Sequence, residues 1–139
     1  QILYNGLKSL KGLNLPLIQK NYTHSYYVFA MSLKTDVVKT QKSKIKKLLK
    51  KKGINISIEY QNLHLLPLFQ KKIGYYKNFP WCLNKNKIDY KKGICPNAEF
   101  LNDKSFIGLN LCNYDYSKND LKYIIKCFKE IWQKEISFF

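Results

Sequence analysis

The sequence contains no arginine: its 25 Lys and Arg residues are all lysines, set against nine Asp and Glu, for a formal net charge of +16. Proteins that recognise phosphates or base edges usually use arginine, because its planar guanidinium makes two parallel hydrogen bonds. Lys, Asn, Ile, Tyr and Phe are abundant together, as an AT-rich coding sequence would produce. The charge alone therefore does not predict a nucleic-acid partner.

Closely spaced cysteines and long apolar runs are also missing. The four cysteines lie far apart, at positions 82, 95, 112 and 127, without a C-x-x-C pair, so the sequence favours neither a zinc site nor a disulfide framework. No run of about eighteen apolar residues predicts a membrane span. No signal segment opens the chain. We therefore expect reduced thiols and a cytoplasmic protein.

Three segments have the pattern of β-strands. Residues 25–33 are apolar on both faces, with Tyr27, Phe29, Met31 and Leu33 on one side, which predicts a strand covered on both faces. Residues 54–60 alternate, with Ile54, Ile56, Ile58 and Tyr60 sharing a face, and residues 106–111 form the third strand. Residues 12–24, which include Pro16, are predicted as a loop.

Helices are predicted between and after these strands. Leu3, Leu7 and Leu10 have helical spacing, and a basic helix over 40–52 buries Ile45, Leu48 and Leu49. A short helix is expected from Pro96. The closing helix begins after Ser117 and buries a regular stripe of apolar side chains: Leu121, Ile124, Ile125, Phe128, Ile131 and Trp132. The predicted fold class is α+β, a small and mostly antiparallel three-stranded sheet packed against helices.

Residues 73–95 are irregular and rich in aromatic side chains, among them Tyr75, Tyr76, Phe79 and Trp81. An irregular segment of this length in a small domain is usually functional or packed on a neighbour. The chain begins at Gln1, inside a predicted helix, so we expect residues to precede it. An uncovered apolar patch near Phe79, Trp81 and the first helix would fit that expectation.

Five strings, in this order, resemble the DegT/DnrJ/StrS-type sugar aminotransferases, a branch of the fold-type-I pyridoxal-phosphate enzymes. They are YNGLKSLKGLNLP, THSYYVFAMSL, KIKKLLKKKGINISIEYQNLHLLPLF, GICPNAEFL and IGLNLCNYDYSKNDLKYIIKCFKEIW. The third is the most specific, with its basic helix, Leu-x-x-x-Gly-Ile turn, strand and His-Leu-x-Pro loop. The resemblance covers nearly the whole chain and implies the small C-terminal domain of such an enzyme, with residues 1–11 ending a linking helix and residues 12–139 forming the domain.

The resemblance also implies an activity: transfer of an amino group, usually from glutamate, to a nucleotide-linked keto sugar for surface polysaccharide or glycan biosynthesis. The implied cofactor is pyridoxal 5'-phosphate. The family's cofactor-binding lysine lies in its large N-terminal domain, and no motif here matches it. We therefore assign no catalytic, cofactor-binding or metal-binding residue in this chain, and expect it to be inactive alone. The implied partners are its own large domain, a second subunit of a homodimer, the amino donor and the sugar substrate.

The family's loop near the nucleotide-sugar site matches the turn that contains Tyr60 and His64, so these are the predicted substrate-binding residues. Tyr60 can stack on a base or donate to a phosphate, and His64 can bond to a phosphate or a sugar hydroxyl. The structural alternative makes Tyr60 part of its strand's apolar face and His64 an internal hydrogen-bonding group. For Glu99, a first-turn carboxylate favoured by the helix dipole is the preferred interpretation.

Two other functions stay open. One is a small basic α+β domain that binds RNA or DNA through bases stacked on Tyr27 and Phe29 of one sheet face. The lack of arginine and of an RNP-like motif counts against it. The other is a non-catalytic structural copy of the aminotransferase small domain.

Overall fold

The structure is a computed structural model that describes residues 1–83 and 88–139. Part of the predicted irregular segment, residues 84–87, therefore lies outside the described residues. Within the described residues, three strands and five α-helices make up the framework: α1 Ile2–Leu7, β1 Leu13–Asn14, β2 Phe29–Leu33, α2 Lys42–Lys51, α3 Pro67–Gln70, α4 Pro96–Phe100, β3 Phe106–Leu109 and α5 Lys118–Lys134. Short 3₁₀ turns and one π-helical turn, Leu101–Ser105, connect them.

The sheet is antiparallel throughout, with strand order β1-β2-β3. Leu13 pairs with Leu33 on one side of β2, and Phe29 and Met31 pair with Leu109 and Ile107 on the other. The predicted fold class, a three-stranded antiparallel sheet with helices packed against it, is confirmed.

The strands themselves differ from the prediction in one respect. Residues 54–60 do not form a regular strand; Ser57 alone pairs with Gly108, through hydrogen bonds of 2.8 and 2.7 Å. The backbone beyond Ser57 has other partners, because the Ile58 carbonyl accepts a bond from the Lys42 ammonium and the Tyr60 N–H donates to Asn102 Oδ1. The third strand is instead β1, which lies in the segment predicted as a loop.

The inner face of the sheet carries the core. Phe29, Met31 and Leu33 are buried there, and Ile54, Ile56 and Ile58 are buried beside them as the alternation predicted. Helix α5 closes the core with Ile124, Cys127, Phe128, Ile131 and Trp132. Ser117 caps α5: its hydroxyl accepts the Asp120 N–H, and the Asp120 carboxylate accepts the Ser117 N–H, which satisfies two unpaired helix N–H groups. No helix of the described chain is long and apolar enough to cross a membrane.

The outer face of the sheet is open, which corrects the expectation that β2 is covered on both sides. Ala30 is exposed and Val28 is only half-buried. The strand also begins later than predicted, at Phe29, because Tyr26 has a positive φ of 53° and its N–H donates to His24 Nδ1. Tyr27 is exposed, whereas Phe29 is 1% exposed and cannot stack a base. The open face forms the floor of the candidate site.

Candidate functional site

A groove of about 780 Å³ covers the open face of the sheet. Its floor is Ala30 and Ser32 of β2 with Phe106 of β3, and its walls come from the segments that follow Ile58 and precede β3. Other lining side chains are Asn14, Leu15, Tyr60, Gln61, Asn62, Leu63, His64, Phe69, Tyr90, Cys95, Ala98, Leu101 and Asn102. Ligand sites are commonly mostly apolar cavities of this size with a few polar groups.

Tyr60 stands at the edge of the groove, with 64% of its surface exposed. Its ring meets Phe106 edge-to-face, with ring centres 6.0 Å apart, and its N–H is held by Asn102 Oδ1 at 3.1 Å. These contacts fix the base of the side chain and leave its outer ring face and hydroxyl without a partner among the described residues. Tyr60 is therefore placed to contact a ligand, not to fill the core.

His64 also lines the groove, but its side chain is buried. Its Nε2 atom lies 2.9 Å from Glu99 Oε1. The backbone carbonyl of His64 accepts a bond of 2.7 Å from Gln70 Nε2. Both ends of the residue are therefore engaged by neighbouring elements, and only Nδ1 remains for a ligand.

Glu99 organises the turn that enters α4. Its carboxylate accepts the Gly93 N–H at 2.7 and 2.9 Å and the Cys95 N–H at 3.3 Å, in addition to the His64 contact. Burial alone would raise the pKa of Glu99, but the bonds from Gly93, His64 and Cys95 together outweigh it and leave the pKa below its usual value. The first-turn position on α4 matches the preferred sequence interpretation, and the contacts make Glu99 a brace for the groove wall.

Lys42 and Asn102 join the two walls behind Tyr60. Lys42, the first residue of α2, is buried, and its Nζ donates to the carbonyls of Ile58 and Asn102. Burial lowers the pKa of Lys42, while Glu59 and Asp103 partly oppose the shift. Lys42 was not predicted from the sequence, although its spacing places it on the same helical stripe as Ile45 and Leu49.

An aromatic cluster holds the irregular segment against the groove. Phe69 meets Trp81 edge-to-face at 6.0 Å and lies 5.5 Å from Tyr90, whose hydroxyl accepts a bond of 3.2 Å from Trp81 Nε1. Gln70 Nε2 donates to the Tyr90 carbonyl as well as to His64. Trp81 is therefore half-buried by its own chain.

The predicted uncovered patch is present in part. Seven large apolar side chains in the described part of this segment are exposed: Ile73, Tyr75, Tyr76, Phe79, Leu83, Ile88 and Ile94. Helix α1 does not belong to the patch, because Leu3 and Leu7 are buried against α5. The expectation was therefore right for Phe79, right only in part for Trp81 and wrong for the first helix.

The described lining of the groove contains neither a lysine nor a cluster of metal ligands. None of the described residues that line it is a lysine, and in residues 1–83 and 88–139 no group of three or more His, Cys, Asp or Glu side chains could hold a metal ion. All four cysteines are free, and only Cys95 lines the groove. The arrangement can bind and orient a ligand, and it keeps water off one side of it.

Comparison with known proteins finds similar solved structures and a sequence relative. The aminotransferase TlmJ from Streptoalloteichus hindustanus superposes on 92% of this chain with a TM-score of 0.58 and 18% identity. A protein of Methanocaldococcus jannaschii, the uncharacterized protein MJ1066, is 30% identical over 103 residues, or 73% of this chain. No family model matches.

The extent of these matches matters as much as their strength. The chain spans 28% of the length of TlmJ and 23% of MJ1066. At this level of identity the first match shows that the chain shares its fold with part of an aminotransferase. Activity, substrate and partners do not follow from it.

Proposed function

We propose that this chain is the small domain of a pyridoxal-phosphate-dependent aminotransferase of the DegT/DnrJ/StrS type. It would transfer an amino group, with glutamate as donor, to a nucleotide-linked keto sugar. The observation that carries the proposal is that 92% of the chain shares its fold with part of an aminotransferase, while the order of its sequence motifs resembles that family. The wider assignment to surface polysaccharide or glycan biosynthesis rests on the resemblance.

The described residues do not fit the cofactor by themselves. When bound, pyridoxal phosphate acts as the electron sink for the donor carbon, and it needs a lysine to hold it. No described lysine lines the groove, and the ammonium of the buried Lys42 already donates to two backbone carbonyls. We therefore derive no step through the cofactor in this chain, and place its lysine in a preceding large domain.

In this proposal the chain contributes one wall of the substrate cleft. The apolar floor of the groove excludes water, and Tyr60 presents an aromatic face and a hydroxyl at its edge. A substrate that the protein holds in position reacts faster, because the entropy cost of positioning it is met on binding and not in the reaction step. The exposed side chains of residues 73–83 would lie against the large domain or a second subunit, in keeping with their apolar character.

The decisive experiment uses the protein expressed from its complete reading frame. It is supplied with pyridoxal phosphate, glutamate and a panel of nucleotide-linked keto sugars, and products are measured by mass spectrometry. We expect 2-oxoglutarate and one amino sugar in equal amounts. Absence of both products with every sugar, from a protein that retains the cofactor, would contradict the sugar assignment.

A second measurement tests the placement of the lysine. The 139-residue chain alone is mixed with pyridoxal phosphate and reduced with borohydride, which fixes a lysine adduct. We expect no lysine to be labelled in preference to the others. One preferentially labelled lysine in this chain would overturn the proposal that the cofactor is held elsewhere.

The nucleic-acid alternative loses its original stacking pair, because Phe29 lies in the core. The groove on the open face is also lined by no described lysine, although the chain carries a net charge of +16. Binding of RNA that falls steeply as salt is raised would reflect only the surface lysines. Binding that persists in high salt and depends on Tyr27 would restore this alternative.

A further inference from the structure

A second cavity, of about 330 Å³, lies beyond the end of β3. It is bounded by the turn after α2, the segment after β3 and the first turns of α5. Its lining residues are Gly53, Ile54, Asn55, Asn110, Asn113, Tyr114, Tyr116, Asp120, Tyr123 and Ile124. It shares no lining residue with the groove of Tyr60 and His64.

The lining is polar without being basic. It contains three asparagines, three tyrosines and one aspartate, and none of its described residues is a lysine, in a chain of net charge +16. Bonds from the Ser117 hydroxyl and N–H lower the pKa of Asp120, so its carboxylate is ionised at neutral pH. A phosphate or carboxylate ligand would meet this negative charge, and no lining residue is a lysine that could offset it.

Several polar groups of the cavity are available to a ligand. The amides of Asn55 and Asn110 have no hydrogen-bond partner among the described residues, and each can both donate and accept. The Tyr123 hydroxyl donates to the Lys52 carbonyl at 3.1 Å, which leaves its oxygen free to accept a second bond. Amide groups and hydroxyl oxygens of this kind match a ligand that carries many hydroxyls.

The aromatic side chains supply a complementary surface. Tyr114 and Tyr116 meet edge-to-face with ring centres 5.8 Å apart, and Tyr114 is 66% exposed. The apolar face of a sugar ring can pack on an exposed tyrosine face while its hydroxyls reach the amides. The volume lies at the lower end of the range for ligand sites, which suits one ring and not a chain of several.

We propose that this cavity binds a neutral, hydroxyl-rich ligand, a single sugar ring, as a site separate from the groove. A cationic ligand is less well matched, because the net charge opposes it and the one carboxylate is already bonded to Ser117. The inference does not rest on the proposed aminotransferase function. It requires only that the two cavities are distinct.

The test is a titration of the ¹⁵N-labelled protein with D-glucose, D-galactose and N-acetyl-D-glucosamine, followed by NMR. We expect at least one sugar to give saturable shifts confined to the side-chain amides of Asn55, Asn110 and Asn113 and to residues near Tyr114. Tyr114→Ala and Asn55→Ala should each weaken binding about fivefold, the loss expected for one good contact. Both side chains are exposed, so neither change should unfold the protein.

The control is Tyr75→Ala, an exposed tyrosine that lines neither cavity, and it should leave sugar binding here unchanged. Failure of all three sugars to saturate these signals would overturn the proposal. So would choline or inorganic phosphate shifting the same signals at lower concentration than any sugar. Because none of these readouts depends on amino transfer, loss of the proposed enzyme activity would leave this result unaffected.

Discussion

His64 Nε2 lies 2.9 Å from Glu99 Oε1, and both side chains are more than nine-tenths buried. The pair connects the turn before α3 to the first turn of α4, and both elements line the groove. Removing one partner of a buried polar pair leaves the other without a hydrogen bond, which costs more than the bond itself contributed. The pair therefore holds the groove wall in place, whatever His64 contributes to binding.

Glu99→Gln should make the protein less sensitive to acid. The pKa of Glu99 is below its ordinary value of 4.5, so the stability from this group is fully present above pH 4.5 and is lost as the pH falls through the lowered folded value. Glutamine cannot titrate and lacks this dependence. The test is to measure the thermal unfolding of both proteins from pH 7 to pH 3. The midpoint temperature of the wild type should approach that of Glu99→Gln as the pH nears 3.

Glu130→Gln is the matched control, because Glu130 also has a lowered pKa but pairs with Lys52 on the surface. Exposed pairs contribute little to stability, so this variant should differ less from wild type at pH 7. Parallel pH profiles for wild type and Glu99→Gln would show that the His64–Glu99 contact does not stabilise the fold.

The fold class could be predicted because the apolar spacing marks the faces of the helices and strands that are buried. Ile124, Phe128, Ile131 and Trp132 of the predicted α5 stripe are buried, with Leu121 and Ile125 half-buried beside them, and the alternating Ile54, Ile56 and Ile58 are buried as well. What the alternation could not show is that residues 54–60 lack regular strand pairing. That outcome depends on Lys42 and Asn102, which bind the backbone groups at Ile58 and Tyr60 and are distant in sequence.

Lys42→Met should lower the free energy of unfolding by about 1–2 kcal/mol, although it removes a buried charge. Methionine fills a similar volume but leaves the carbonyls of Ile58 and Asn102 without the donor, and an unsatisfied buried acceptor costs about 1–3 kcal/mol. Chemical denaturation at pH 7 measures the change. Lys46→Met, at an exposed position of the same helix, should change stability by less than about 0.5 kcal/mol.

Lys42 also predicts a pH dependence in the alkaline range. Its folded pKa is below its ordinary value of 10.5, so the unfolded chain binds the proton more tightly and this group's contribution to stability rises with pH between the two values. Lys42→Met should lack that rise relative to wild type. A Lys42→Met protein as stable as wild type would show that the ammonium is not needed to join the two walls.

Gly6→Ala should destabilise the protein even though alanine favours helices. A Cβ atom at Gly6 would lie 2.4 Å from Ile125 Cδ1 and 2.7 Å from its Cγ1, so the whole Ile125 side chain must move. Overpacking costs about 1–3 kcal/mol, against a helix gain of about 0.5–1 kcal/mol. We expect a net loss of about 1 kcal/mol by denaturant unfolding.

Asn5→Ala, at the neighbouring exposed position of α1, should gain a few tenths of a kcal/mol. A Gly6→Ala variant that is equally stabilised would mean that α1 does not approach α5 this closely. This contact follows from no periodicity in the sequence, since only the packing of α1 on α5 shows that residue 6 must be small.

The sequence was enough to predict that Tyr60 and His64 lie in one turn. It could not show that the Tyr60 side chain is exposed whereas the His64 side chain is buried. Tyr60 and His64 both line the groove, as their positions in one turn suggested. Glu99, which engages His64, comes from a helix 35 positions away along the chain. A pattern search cannot pair such residues, because nothing in the local sequence indicates which side of the groove each one meets.

Tyr60 is the residue of this chain on which the proposed enzyme should depend most. In the complete protein, Tyr60→Ala should lower kcat/KM about tenfold, mainly through KM, because stacking of a base on an aromatic ring contributes about 1–3 kcal/mol. Tyr60→Phe separates the two possible roles: it should retain activity if the ring stacks on a base, and lose it if the hydroxyl donates to a phosphate. Steady-state kinetics with the nucleotide-linked sugar measure both.

Tyr75→Ala is the control, because Tyr75 is 85% exposed and lies outside the groove. Its kcat/KM should stay within about twofold of wild type if the subunit contacts are preserved, which gel filtration checks. The Tyr60 ring rests on Phe106 at the edge of the sheet, and its loss leaves the core untouched. An unchanged kcat/KM for Tyr60→Ala would therefore remove Tyr60 from the substrate site and leave the groove as a packing surface for the rest of the enzyme.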